Sequence, residues 1–589
     1  MFVIPLLIVL AAPVAQPPLV YFDVNAAFAE LPDDSVLRYD ALKFVTALQG
    51  LVNRDEPRLA IRMMDVDDYW LGKMQVEWLK DRSVERLSSL EALVSHFQED
   101  MAGAVVWDPA VPATANVAAT VCGVEGWLPV RGGSALYERV VAGGPKLPVK
   151  LDLTGKFDGS ESGSAKCDAY LWAKREYLDQ GRCNPDLVAY YVDAWTQRPR
   201  KPGYFYGDLC NATLPNHDYY IARRAFFFDL SPWGDETPVD DPGQPLGTDK
   251  NTFLAILRAQ AGQNKQKAFT SVGGFTPWDQ KYTNHGTIGG KHEPVATEWE
   301  HASLLSSHNA IMDADALGLT CLSNASAWSH FPLQAKYAQN PRPEKAPLER
   351  KTYVLIYMGD YDSAAWLSRH IPQFWDDPVR GEFPIAWAFN PNLAARVPYV
   401  FDYIYKTKSA NDWFIGGDSG AGYLNPNLLI GDRLGSGLPD ALDLWVDHNK
   451  RWYGQFDYSI TGFVINGFHG IMPLRIQEAY AKFSPDGVGM QLGYEEPIVD
   501  GTPFLRHVSD IYPKLDHLDQ TAAEMARFAR GTFPRFRIYR WILQSPTTMK
   551  RVYETLQANH GEEQWVFCDP YTFFDLYKRH KLGEAPAGE

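Results

Sequence analysis

Hydrophobic residues recur in two different patterns, and the change between them divides the chain into two parts. In the first part, apolar positions at helical spacing over 37–52 precede a short strand at 58–62, and helical stretches at 69–80 and 88–98 precede a strand at 103–107. This alternation predicts small parallel sheets covered by helices. Stretches rich in Gly and Pro at 129–166, and again at 198–217, indicate loops between subdomains.

From about residue 222 the alternation of strands and amphipathic helices becomes regular. The strand-like apolar runs lie at 225–230, 268–272, 317–322, 353–358, 385–389, 413–415, 460–465, 488–492, 536–541 and 565–568. Strands separated by helices over this length predict a (β/α)-barrel-like domain. The predicted fold class is therefore α/β, with N-terminal α/β subdomains at 16–135, a third subdomain or connector at 136–221, and the barrel-like domain at 222–589.

The N-terminus carries an apolar run at 2–12 followed by Pro13, Val14 and Ala15. This run is too short to cross a bilayer as a helix, and it is typical of the apolar core of a signal peptide. It predicts a signal peptide at 1–15 and a secreted, periplasmic or extracellular protein. A buried N-terminal strand is the alternative. No later run is long and apolar enough to predict a membrane span.

Composition and charge narrow the class of partner. The net charge is −16, and no Lys- or Arg-rich stripe offsets it, so neither nucleic acid nor an anionic membrane surface is expected as a partner. Aromatic residues make up 13% of the chain. Aromatic rings stack on sugar rings but also fill protein cores, so this share favours a carbohydrate partner only mildly.

Polar residues follow almost every predicted strand of the second part. The loops after the strands build the active site in a (β/α) barrel, so these residues are candidates for one common site. Asp and Asn also favour turns and helix N-caps for backbone reasons, and the hypothesis depends on their coincidence at one rim. The candidates after the strands are Asp229, Trp278, Asp279, Asp360, Asp362, Asn390, Asp418, Asn466, His469 and Glu495.

Four of these carboxyl groups are candidate catalytic residues. Glycoside cleavage requires one protonated and one ionised carboxyl group on either side of the bond. Asp360 and Asp362 stand two positions apart in an extended segment, so we expect them to face the same side, where their repulsion would raise one pKa. Asp418 and Glu495 each follow a strand, in a Gly-containing turn beside a Tyr. The two neighbouring aspartates could instead bind a cation or sugar hydroxyls, or cap the next helix.

A long loop region at 273–300 is rich in Gly, aromatic residues and His. Passive loops of this length are uncommon, so the region predicts a substrate-binding wall or lid. Trp278 and Trp299 are candidate sugar platforms, and Asp279 and His285 are further candidate substrate-binding residues of the same region. A surface loop held by its aromatic residues is the alternative.

The run Gly420-Ala421-Gly422-Tyr423-Leu424-Asn425-Pro426 follows the strand at 413–415. It resembles the motif that names the GxGYxYP family of predicted glycoside hydrolases, except that Asn425 stands in place of the second Tyr. Segments at 48–59 and 569–574 resemble the beginning and the end of the same family, so the resemblance covers nearly the whole chain. It implies a glycosidase and makes Tyr423 a candidate substrate contact, but it assigns no catalytic residue.

The predicted function is hydrolysis of an extracellular glycan by carboxylate acid/base catalysis, without a cofactor or a metal. Two alternatives stay open. The same aromatic-lined cleft suits a non-catalytic carbohydrate-binding protein, and a metal-dependent polysaccharide deacetylase could join Asp360 or Asp362 to a distant His such as His469. The chain has no HExxH motif, no GxSxG elbow and no phosphate-binding loop.

Overall fold

The computed structural model describes residues 17–143, 146–193, 217–276, 281–284, 290–315 and 322–587. The predicted signal peptide at 1–15 lies outside these residues, and so do Trp278, Asp279 and His285. Among the described residues, no helix combines the length and the apolar character needed to cross a membrane.

The strands are numbered in chain order: β1 Leu19–Asp23, β2 Leu59–Arg62, β3 Val84–Leu87, β4 Ala104–Trp107, β5 Leu128–Arg131, β6 Val149–Asp152, β7 Leu187–Tyr190, β8 Phe226–Phe228, β9 Thr270–Gly273, β10 Ala310–Asp313, β11 Thr352–Tyr361, β12 Ile385–Phe389, β13 Asp412–Asp418, β14 Ile460–Val464, β15 Gly487–Met490, β16 Ile498–Val499, β17 Thr502–Ile511, β18 Arg535–Ile542 and β19 Trp565–Cys568.

The α-helices are α1 Val24–Ala29, α2 Ser35–Val52, α3 Asp65–Val76, α4 Leu90–His96, α5 Thr114–Glu125, α6 Ala135–Tyr137, α7 Ala165–Ala173, α8 His217–Ala222, α9 Thr248–Asn264, α10 Pro294–Ser307, α11 Ala325–Trp328, α12 Ala364–Trp375, α13 Pro398–Thr407, α14 Leu442–Phe456, α15 Leu474–Ala481, α16 Leu518–Phe528, α17 Pro546–Asn559 and α18 Pro570–Lys581.

The N-terminal half contains three small parallel sheets, which confirms the predicted α/β subdomains. Their strand orders are β2-β1-β3, β5-β4-β6 and β10-β9-β7-β8. The helix α2 packs against β5, α5 and α8 and is buried on almost every face. Its N-terminus is capped by Asp34, whose carboxylate accepts hydrogen bonds from the amides of Val36 and Leu37. This helix therefore holds neighbouring sheets of the N-terminal half together.

The C-terminal half is a closed parallel barrel of seven strands, which confirms the predicted barrel-like domain. The order is β11-β12-β13-β14-β15-β17-β18, and β18 pairs again with β11. The short strand β19 pairs with the first half of β11, at Thr352–Leu355, whereas β12 pairs with its second half from Tyr357 onwards. Because all seven strands are parallel, their carboxyl ends and the following loops share one edge of the barrel.

The strand-like runs at 225–230 and 268–272 were predicted within the barrel-like part, but they belong to a different sheet. They form β8 and β9, which pair with β7 and β10 in the four-stranded sheet. Buried parallel strands are apolar on both faces whether a sheet is open or closed, so the sequence pattern does not separate the two cases. The division of the chain at residue 222 stays a prediction, and residues 317–321 lie outside the described part.

The four-stranded sheet docks on the loop edge of the barrel through the end of β10. The amide of Met312 donates to the carbonyl of Tyr423 at 2.9 Å, and the amide of Ala314 donates to the carbonyl of Asp362 at 3.0 Å. Asp313 and Asp315 both pair with Arg396, at 2.7 and 2.6 Å. The N-terminal half therefore reaches the barrel edge where an active site is expected.

Candidate active site

Carboxyl groups from two barrel strands gather at the loop edge. Asp360 and Asp362 lie at and just beyond the end of β11, and Asp418 is the last residue of β13. The side chain of Tyr361, between the first two, packs against Phe389 at 4.8 Å. The pairing of β11 with β12 shifts register between Met358 and Tyr361, so the strict alternation expected of an extended segment does not apply to Asp360 and Asp362. The charge of Asp360 contributes to raising the pKa of Asp362, as expected for neighbouring carboxyl groups.

The backbone is strained at the ends of both strands. Asp360 has φ +66° and Ser419, directly after Asp418, has φ +65°. Residues other than Gly in this left-handed region cost on the order of 1 kcal/mol and persist where the surrounding structure fixes them. Such strain concentrates at functional sites. Here it fixes the direction of the two turns that carry Asp360 and Asp418.

Arg540 supplies the positive charge of the cluster. It lies near the end of β18, and its guanidinium pairs with Asp360 at 2.5 Å and with Asp510 at 3.2 Å. Burial raises the pKa of Asp360, and the charge of Arg540 opposes that rise. Asp360 is therefore a carboxylate whose ionised form is directly stabilised.

Asp418 and Asp362 differ from Asp360 because they form no ion pair with the described residues. Asp418 is 2% exposed, and its Oδ1 has no hydrogen-bond partner among the described residues. Burial raises the pKa of Asp418 to about 7, against the opposing charge of Arg540. Burial, and then the charges of Asp418, Asp360 and Glu298, raise the pKa of Asp362 well above its usual value. These carboxyl groups can hold protons near neutral pH.

The N-terminal half contributes a further acid, Glu298, from helix α10. The hydroxyl of Tyr423 donates to Oε1 of Glu298 at 2.6 Å. Burial raises the pKa of Glu298 to about 7, the hydrogen bond from Tyr423 opposes this, and the charge of Asp360 adds to it. Glu298 therefore belongs electrostatically to the barrel cluster although it comes from outside the barrel.

The glycine-rich motif positions Tyr423 for this contact. Gly420 and Gly422 have φ values of +123° and +134°, which other residues rarely adopt. A Cβ at Gly420 would lie 2.5 Å from Oδ1 of Asn449, and one at Gly422 would lie 2.8 Å from Ile311. Only glycines let the loop pass this closely between α14 and β10, and the result is a buried Tyr423 pointing at Glu298.

Amide and hydroxyl groups around the carboxyls lack partners. Asn390 follows β12 and Asn466 follows β14, and both are fully buried. Both amide atoms of Asn390, Nδ2 of Asn466 and the hydroxyl of Tyr357 have no hydrogen-bond partner among the described residues. Buried polar groups are normally paired because leaving them unpaired is costly. Their concentration at one edge is expected of a site built to bind a polar ligand.

Trp299 directly follows Glu298 in helix α10, and His469 contacts the same helix. The ring of Trp299 contacts the ring of Phe468 edge-on, with centroids 5.3 Å apart. Nε2 of His469 lies 2.9 Å from the hydroxyl of Ser303, and burial lowers the pKa of the imidazole. These contacts join the loop after β14 to helix α10.

Two of the predicted site residues lie elsewhere. Asp229 follows β8 in the four-stranded sheet, where it is buried and paired with Lys281 at 2.6 Å. It is not at the barrel rim, because β8 pairs with β7 rather than with a barrel strand. Glu495 is exposed in the loop after β15 and forms no hydrogen bond or ion pair with the described residues of the cluster.

The sequence interpretation did not select Glu298, Arg540 or Asp510. Glu298 stands directly before Trp299 in the loop-rich region that was singled out as a binding wall. Arg540 interrupts the apolar run at 536–541, and a charge inside a buried strand was the available signal. Within the described ranges, no group of three or more His, Cys, Asp or Glu side chains is arranged to hold a metal ion.

Two family models match this chain, one in its C-terminal half and one in its N-terminal half. Residues 350–578, which contain the barrel, match the model described as "GxGYxYP putative glycoside hydrolase C-terminal domain". Residues 101–181 match the model described as "GxGYxYP_N second domain". No curated protein matches the chain.

Among solved structures, the chain is similar to "a putative hydrolase from Bacteroides thetaiotaomicron VPI-5482". The TM-score is 0.67 at 17% sequence identity, and the alignment covers 96% of this chain and 95% of that one. At this level of identity the likeness shows a shared fold.

Proposed function

The chain belongs to the GxGYxYP family, and we propose that it is a glycoside hydrolase whose active site is the carboxyl cluster at the loop edge of the barrel. The observation that carries the proposal is that Asp360, Asp362 and Asp418 lie at the ends of two barrel strands, and that Tyr423 from the same edge holds Glu298 of the other half at 2.6 Å, close enough for the charges to affect one another's pKa. On the basis of the predicted signal peptide, we propose that its substrate is an extracellular glycan.

Glycoside cleavage requires one protonated and one ionised carboxyl group, and we propose an assignment of these two states within the cluster. Asp418 and Glu298, each with a pKa of about 7, are the proposed proton donors to the leaving oxygen. Asp360, whose negative charge is stabilised by Arg540, is the proposed ionised partner. Because these groups interact, the protons are shared by the cluster, and its apparent pKa values belong to the group as a whole.

The surrounding polar groups suit a sugar. Asn390, Asn466 and Tyr357 present unpaired hydrogen-bonding atoms that sugar hydroxyls could satisfy. Trp299 offers a flat apolar face beside the proposed donor Glu298. We propose that these groups orient the ring next to the bond that is cleaved.

The test is a screen of a glycan panel and of aryl glycosides for released reducing ends or released aryl alcohol. The variants Asp418→Asn, Asp360→Asn and Glu298→Gln keep the side-chain shapes and remove the acid/base function. We expect a loss in kcat of about 10²–10⁴-fold in each, with glycan binding by calorimetry retained. The matched control is Glu554→Gln, which changes an exposed carboxyl group on α17.

Two outcomes would contradict the proposal. Glycan binding by the wild type without turnover of any panel member would indicate a carbohydrate-binding protein. Release of acetate instead of reducing ends, abolished by a chelator and restored by a divalent metal, would indicate a deacetylase.

A further inference from the structure

Exposed apolar side chains concentrate in the loops after three barrel strands. They are Phe468, Ile471 and Leu474 after β14, Leu492 and Tyr494 after β15, and Tyr512 and Leu515 after β17. These three strands are consecutive in the barrel and parallel, so their loops adjoin one another on the edge that carries the carboxyl cluster. We call Phe468, Tyr494 and Tyr512 the aromatic rim; they are 51%, 94% and 61% exposed.

One end of the aromatic rim contacts helix α10, which carries the proposed proton donor Glu298. Phe468 contacts the ring of Trp299, which directly follows Glu298. The backbone of Gly467 packs on Trp299 as well, since a Cβ at position 467 would lie 3.3 Å from the indole. The ring of Phe468 is therefore held in place although half of it is exposed.

The other end of the aromatic rim lies against the proposed ionised partner. The hydroxyl of Tyr512 is 3.5 Å from Asp510, and Asp510 pairs with Arg540 at 3.2 Å. Arg540 in turn pairs with Asp360 at 2.5 Å. The aromatic rim thus contacts the helix of Glu298 at one end and is connected to Asp360 through Asp510 and Arg540 at the other.

We propose that the aromatic rim binds a carbohydrate chain that runs across the carboxyl cluster, so that the substrate is an oligosaccharide or polysaccharide rather than a single terminal sugar. This inference rests on the proposed function. Rings that follow one another beside a cluster of polar groups suit successive sugar rings, which have polar edges and apolar faces. Contiguous exposed apolar side chains usually mark a binding surface. The net charge of −16 disfavours an anionic lipid surface as the occupant.

The experiment compares two substrates of the same sugar, an aryl monosaccharide glycoside and a series of oligosaccharides of increasing length. Phe468→Ala, Tyr494→Ala and Tyr512→Ala are expected to lower kcat/KM for the longer chains by about three- to tenfold per ring and to leave the aryl glycoside nearly unchanged. Leu582→Ala is the matched control, because Leu582 is 69% exposed and lies after α18, outside the loops that follow β14, β15 and β17.

The outcome can separate this inference from the proposed function. Turnover that does not depend on chain length or on the rim would overturn the inference and leave the hydrolase intact. Should the wild type cleave nothing, affinity electrophoresis in polysaccharide gels still measures chain binding by the same variants. Rim-dependent binding without turnover would support the inference and contradict the hydrolase. Vesicle binding or self-association that the rim variants abolish, with glycan affinity unchanged, would assign the rim to another partner and overturn the inference.

Discussion

Two regions of the molecule bury several carboxyl groups, and they treat these groups differently. In the N-terminal half, Asp229, Asp240 and Asp249 surround Lys166 and Lys281, and every carboxylate has an ammonium partner at 2.6–3.2 Å. At the barrel edge, Arg540 is the cation that faces Asp360 and Asp510, while Asp418, Asp362 and Glu298 have no ion pair with described residues. The first region is a closed ion network, and the second is a set of acids with unsatisfied groups.

The pKa shifts follow this difference for Asp249, whereas burial outweighs the charge of Lys281 and raises the pKa of Asp229. Burial acts to raise the pKa of Asp249, but Lys166 and hydrogen bonds from Ser231 and Gln244 outweigh it and hold the pKa below its usual value. Asp418 is equally buried, yet its pKa rises to about 7. Burial therefore does not by itself mark a functional acid; the absence of compensating partners does. Burial raises the pKa of both Asp418 and Asp229, so the two differ in their partners: Asp229 has the ammonium of Lys281 at 2.6 Å, and Asp418 has no ion pair with described residues.

The largest expected effect on stability is in the ion network. Lys281→Met removes the ammonium next to Asp229 and leaves that carboxylate buried with hydrogen bonds alone. Breaking a buried pair on one side costs about 3–5 kcal/mol of unfolding free energy. Urea denaturation followed by circular dichroism measures the change, with Lys550→Met on the exposed face of α17 as the control. A change no larger than that of the control would mean that the network is not structural.

The contribution of the barrel cluster to the unfolding free energy is expected to change with pH in the opposite direction from that of a paired carboxylate. Because the pKa of Asp418 rises from 3.8 to about 7 on folding, the folded state binds more protons between these values. The unfolding free energy therefore falls as pH rises from about 4 to about 7. Asp418→Asn should flatten this dependence and leave stability at pH 7 unchanged or higher. A loss of stability at pH 7 would show that the charge of Asp418 is compensated after all.

The sequence predicted the two kinds of sheet because apolar periodicity is local, but it did not assign each strand to a sheet. The runs that form β8 and β9 are as apolar as barrel strands. In contrast, β17 was not predicted, because Arg506, His507, Ser509 and Asp510 break its apolar pattern. The polar residues of β17 lie toward the loop edge. They prevented its prediction as a strand, and they also contribute to the site.

The site was predictable where a single strand carries it and not where the two halves meet. Asp360, Asp362 and Asp418 were found because each follows a strand. Glu298 lies on α10, which directly precedes β10 in the chain. It reaches the cluster only because β10 docks on the barrel. No local pattern reports such a contact between distant segments. The position of Glu298 next to Trp299 in the sequence indicated a binding region, but it did not identify Glu298 as a candidate catalytic acid.

A smaller effect is expected when the link between the two halves is weakened at Tyr423. Tyr423→Phe removes the hydrogen bond that holds down the pKa of Glu298, so that pKa should rise further. If Glu298 is a proton donor, the alkaline limb of the kcat–pH profile moves to higher pH, and kcat at neutral pH changes by about tenfold or less. Tyr539→Phe is the control, because its buried hydroxyl donates to the carbonyl of Met525 instead. An unmoved alkaline limb would exclude Glu298 as the group that titrates there.

The smallest effect is expected at Glu495, which belongs to neither region. Its carboxyl group is exposed in the loop after β15 and has no cation or carboxyl partner among the described residues, so its charge is screened by solvent. We expect Glu495→Gln to change kcat and kcat/KM for the best glycan by less than about twofold, within the range of surface substitutions. Steady-state kinetics beside Asp418→Asn gives the comparison. A loss as large as that of Asp418→Asn would mean that the loop after β15 moves onto the cluster when the substrate binds, since the aromatic rim residue Tyr494 precedes Glu495 on the same loop.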